Sequence, residues 1–124
     1  MDWIVTIGLA IGGAVHILPL PGVLGSSGLA RLYDIRTDDP NLLILLRHRS
    51  AVFAILGLLL VAAIFRPELQ SAAILAGLTS ALLFAVIALQ TGGYSPALKR
   101  VVIADVVAIV ALAAAGLGWL LERG

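Results

Sequence analysis

The 124-residue chain is 61% hydrophobic and 12% charged, with a mean hydropathy of +1.12 and a net charge of +1. Too little polar surface remains to cover a water-soluble domain, and neither a basic nucleic-acid surface nor an acidic tail is present. Cysteine is absent, which excludes disulfides, thiol nucleophiles, thiolate metal sites and covalent haem attachment.

In chain order, residues 3–20 form the first apolar segment, about 27 Å long as a helix. It lacks the basic start of a secretory signal, since Asp2 precedes it. Pro19 and Pro21 interrupt its ladder. Gly8 and Gly12 make a small-xxx-small pair, with His16 four residues further along the same face. Small residues at this spacing let helices approach closely in lipid, so His16 is expected to face protein. Residues 21–39 are the long polar connection, with an interfacial helix at 27–35 or an ordered loop as alternatives. In the helical alternative, Leu29, Leu32 and Tyr33 dip into the headgroup layer.

Asp38 or Asp39 as N-cap and Pro40 at the first helical position open the second span, 40–65. Arg66-Pro67 stops it. The third span, 69–90, carries no charge and ends at Thr91-Gly92-Gly93. Tyr94 then suits an interface, where its amphipathic ring is favoured. The fourth span, 97–121, follows Ser95-Pro96 and contains Asp105, the only acid inside any span. Trp119 marks its far interface.

These elements predict an all-α integral membrane protein, a four-helix antiparallel bundle in one domain. Arg31, Arg36, Arg47, Arg49, Lys99 and Arg100 lie toward the first and third loops, and Arg66 and Arg123 toward the other side. That asymmetry predicts those loops in the cytoplasm and both termini outside, in a bacterial inner membrane.

Arg47 and Asp105 are expected roughly 10 and 12–13 Å inward from Pro40 and Pro96, on the side where the first span ends near His16. At about 100° per residue, Arg47 shares a face with Ser50, Ala51, Ala54 and Gly57, while Arg49 lies roughly opposite. Arg47 is therefore expected inward, paired with Asp105, with His16 bonding to the same pair. Arg49, Lys99 and Arg100 are expected to anchor headgroups, Lys99 and Arg100 turned away from Asp105. The pair admits two readings: a strut locking two helices in register, or a ligand or ion site. A b-type haem between His16 and His48 is disfavoured, because His48 points off the small-residue face. No nucleotide, metalloprotease or hydrolase motif occurs, and no metal site is expected.

The stretches HILPLPGVLGSSGLARLYDI, DDPNLLILLRHRSAVFAILG, AAIFRPELQ and GGYSPALKRVVIADVVA resemble a group of small four-helix bacterial membrane proteins of unknown function. A wider resemblance is to DoxX-like proteins. Members of the group sometimes carry the label phosphopantetheine adenylyltransferase. The HxGH-type phosphate motif of that soluble enzyme is missing, His16 being followed by Ile-Leu-Pro. The resemblance covers His16, Arg47, His48, Arg49 and Asp105 and implies no chemistry for them.

The expected function is binding an amphipathic molecule, such as a lipid or quinone, at the cytoplasmic leaflet, as a binding or accessory protein rather than an enzyme. The alternatives are a proton-coupled transporter acting as a homo-oligomer and a structural subunit of a larger complex. Small multidrug transporters are similar in size, but they place an acid in the first helix, where this chain has a histidine.

Overall fold

The computed structural model describes residues 3–123. Asp2, on which the signal-peptide expectation turns, lies outside the described residues. The element order is α1 (Trp3–Ile17), a 3-10 turn at Leu20–Leu24, α2 (Ser26–Tyr33), α3 (Pro40–Phe65), a 3-10 turn at Pro67–Leu69, α4 (Gln70–Thr91) and α5 (Pro96–Arg123). Among the described residues there is no strand. Four segments are long and apolar enough to cross a membrane: α1 with its following turn, α3, α4 with its preceding turn, and α5.

The helix ends follow local chemistry. The Asp39 carboxylate accepts a hydrogen bond from the Asn41 backbone N–H at 3.0 Å, and Pro40 takes the first helical position of α3. Arg66 leaves helical geometry ahead of Pro67 and ends that helix. Gly92 and Gly93, at φ of 65° and 69°, stop α4 in a conformation that side chains resist. The Ser95 hydroxyl accepts from the Leu98 N–H at 3.2 Å and caps α5. The first helix ends at Ile17, ahead of Pro19 and short of the expected position 20.

Packing follows from small residues. A Cβ on Gly8 would lie 2.5 Å from the Ala111 carbonyl oxygen and 2.6 Å from the Ala115 methyl, so α1 and α5 touch backbone to backbone there. Further along α1, Gly12 rests on Leu112, and Gly13 faces Gly57 and Val61 of α3. Val5, Leu9, Leu60, Ile74 and Leu112 interlock with Ala63, Ala73 and Ala115 to make an apolar core. Many long apolar side chains outside this core face outward, Leu24, Phe65, Leu89 and Leu121 among them at 73–80% exposure.

The connection before α3 is folded tightly onto the helices. It contains a helix, Ser26–Tyr33, close to the helical alternative at 27–35, but its orientation corrects that expectation. Leu29 and Tyr33 do not dip outward; they are 0% and 3% exposed, packed against protein. Close approach explains this: Gly28 sits on the Pro21 carbonyl and Gly22 on the Ser50 hydroxyl, with no room for a side chain at either.

Candidate functional site

The strongly polar buried groups of α1, α3 and α5 gather at the end of the molecule that carries α2. His16, near the C-terminus of α1, is fully enclosed, as expected. Its Nδ1 lies 2.8 Å from the Gly12 carbonyl oxygen and its Nε2 lies 3.2 Å from the Ser80 hydroxyl of α4. The Phe53 ring lies 5.2 Å away, centroid to centroid. Both ring nitrogens of His16 are therefore engaged, by partners other than the expected pair.

The arginine expectation is overturned. Arg47 is exposed and donates from Nε to the Val23 carbonyl at 2.8 Å. Arg47 does not meet Asp105. Arg49 is the inward arginine: it donates to the Tyr33 hydroxyl at 2.5 Å. Its guanidinium lies over the rings of Phe53, Phe84 and Tyr33, at 4.4, 5.0 and 5.3 Å from their centroids. Guanidinium groups are stabilised over such ring faces. The reason for the reversal is what covers each face. The side of α3 carrying Ser50 and Gly57 is covered by Gly22 and by Ile17, so Arg47, one turn beyond Ser50, meets the loop carbonyl. The aromatic side of α3, carrying Phe53, is turned toward α4 and encloses Arg49.

Asp105 is 2% exposed, and its Oδ2 has no hydrogen-bond partner. Among the described residues it forms no ion pair; those present are Arg36 with Asp34 and Arg66 with Glu68. The charge acting on it through space is that of Arg49, which also acts on His16. Arg49, too, buries one nitrogen, Nη2, without a partner.

Asp105 lines a cavity of about 230 Å³. Arg31, Tyr33 and Arg100 contribute polar groups to its wall, and Leu18, Leu32, Phe53 and Val101 much of the apolar remainder. Arg100 is therefore not kept apart from Asp105, as the helical angle suggests; both residues line the same space. A second cavity of about 180 Å³ is bounded by Tyr33, Arg49, Phe84 and Leu98. Tyr33 stands in the wall of both.

The comparisons with known proteins find nothing: no family model, no curated protein and no solved structure matches this chain.

The remaining sequence candidates stand outside the two cavities. His48 is exposed, so it shares no enclosed space with His16. Lys99 is exposed at the start of α5, and Tyr94 is half-buried in the preceding turn. Among the described residues, no three metal-ligating side chains converge. Phe53, Ser80 and Phe84 join the candidate site without having been expected there, as do Arg31 and Tyr33, expected only as a loop charge and an interfacial ring. A signal for three of them existed: the chain has only three Phe and two Tyr, and two and one of these converge on Arg49.

Proposed function

We propose that the chain is a multi-pass inner-membrane protein that binds an amphipathic small molecule or lipid in the Asp105 cavity, as a binding or accessory protein. Four helices of spanning length and outward-facing long apolar side chains support insertion in a bilayer. The residue pairings Gly8 with Ala115, Gly12 with Leu112 and Gly13 with Gly57 support an antiparallel four-span bundle. Six basic residues toward the first and third loops, against two on the other side, favour those loops in the cytoplasm and both termini outside.

One observation carries the binding reading. The cavity is lined by two exposed arginines, Arg31 and Arg100, by the buried Asp105 and by apolar walls. Basic groups between helices at the cytoplasmic side suit an anionic headgroup, and the apolar walls suit the adjoining tail. Native mass spectrometry from mild detergent tests this. The expected spectrum carries a bound lipid, quinone or other amphipath that Arg31→Gln/Arg100→Gln loses. A bare polypeptide peak under conditions that preserve such complexes rules the reading out.

Asp105 also favours a second reading, a proton-coupled transporter working as a homo-oligomer, since a lone intramembrane acid suits proton carriage. Proton-driven flux in liposomes, lost in Asp105→Asn, distinguishes it from binding alone.

A further inference from the structure

Asp105 Oδ2 is a buried acceptor with nothing to accept from. Leaving an enclosed carboxylate oxygen without a donor is costly. Arg49 does not relieve it by contact, because its hydrogen bond goes to Tyr33 and it acts on Asp105 only through space. That through-space charge still counters the carboxylate. A second cation beside Asp105 would therefore meet an opposing guanidinium, whereas a neutral hydroxyl would not.

The rim supplies the complementary chemistry. Arg31 and Arg100 are exposed, line the same cavity, and form no ion pair among the described residues. Guanidinium forks match the oxygens of a phosphate ester. The two lining arginines outnumber the single carboxylate, so an anionic guest is preferred to a zwitterion.

We infer that the cavity recognises a phosphate ester bearing a free hydroxyl, with the phosphate on Arg31 and Arg100 and the hydroxyl donating to Asp105. The inference rests on the amphipath-binding reading and narrows its headgroup. Two sources offer this chemistry, a glycerol-headed phospholipid and a free polyol phosphate.

The test uses the full chain, purified in mild detergent and offered lipids of identical acyl chains. These are phosphatidylglycerol, phosphatidate, phosphatidylethanolamine and phosphatidylcholine, with glycerol 3-phosphate as a separate soluble probe. Native mass spectrometry reads retention. Phosphatidylglycerol is expected to be retained about tenfold over phosphatidate, the scale of one hydrogen bond to a charged group. Asp105→Ala removes that preference and leaves phosphatidate retention in place. Asp105→Asn, which keeps the size and one acceptor oxygen, reduces it less and serves if the alanine variant does not fold. Arg31→Gln/Arg100→Gln lowers retention of both anionic lipids. Retention of glycerol 3-phosphate with no lipid keeps the headgroup chemistry and removes the amphipath. Equal retention of phosphatidylglycerol and phosphatidate, a preference for phosphatidylethanolamine, or an unchanged preference in folded Asp105→Ala overturns the inference alone. Absence of every probe overturns the binding reading with it.

Discussion

The two ends of the molecule solve different problems with the same four long helices. At the end built around Leu9, Leu60, Ile74 and Leu112, glycines and alanines bring backbones together around an apolar core, and an apolar groove of about 520 Å³ lies beside Ile74 between α4 and α5. At the end built around His16, Arg49 and Asp105, the helices enclose polar groups and leave two cavities. Between α1 and α5 the apolar end is filled to contact and tolerates no added atom at Gly8. Among the described residues, the unpartnered buried atom at the apolar end is the neutral Trp119 Nε1, whereas the polar end leaves two ionisable groups with an atom lacking a partner, Asp105 Oδ2 and Arg49 Nη2. A chain selected only for packing has no use for such groups, because apolar side chains of similar shape remove the cost. The contrast separates a scaffold from a site.

The comparison breaks first at the scaffold. Gly8→Ile forces a branched side chain into the Ala111 carbonyl and the Ala115 methyl, and should destabilise the protein by about 3 kcal/mol or more. Thermal unfolding in detergent checks this, and a near-unchanged midpoint would mean that α1 and α5 are not in contact.

The next effect sets two neighbouring arginines against each other. Arg49→Ala strips the guanidinium from three rings and from the Tyr33 hydroxyl, and should lose about 2–3 kcal/mol. Arg47→Ala removes an exposed arm held by one loop carbonyl and should lose about 0.5 kcal/mol. The same unfolding assay reads both, and the reverse order would restore Arg47 as the inward residue.

Ser80→Ala removes the hydroxyl beside His16 Nε2 and should lose about 1 kcal/mol. An accompanying shift in the His16 imidazole resonances by NMR ties the loss to that contact. The smallest effect sharpens the contrast most. Asp105→Leu replaces a carboxylate lacking a donor with a side chain of similar branching, and lipid-free stability should change by less than about 1 kcal/mol. A strut between helices predicts about 3–5 kcal/mol of loss instead. The size of the change, read in the same assay, therefore decides whether Asp105 belongs to the scaffold or to the site.

Much of the scaffold is legible in the order of residues. Asp39-Pro40, Arg66-Pro67 and Gly92-Gly93 mark helix ends because capping, proline geometry and positive φ act within a few residues. The enclosure of His16 follows from its place on the Gly8–Gly12 face. The site was harder to see. A helical angle relates Arg47 to Arg49 but does not say which neighbour covers which side. That was decided by the segment Leu20–Leu24, whose Gly22 presses on Ser50 and whose Val23 carbonyl takes up Arg47. It was also decided by aromatic rings from α2 and α4, far from Arg49 in sequence. Through-space partners of this kind leave no local periodicity to read.

The Tyr33 side chain is shared by the walls of the two cavities. Its phenol is held by Arg49, and Phe53 stands beside it between the Asp105 cavity and the same guanidinium. One tyrosine therefore couples the two chambers: whatever moves its ring reshapes the walls around Asp105 and Arg49 together.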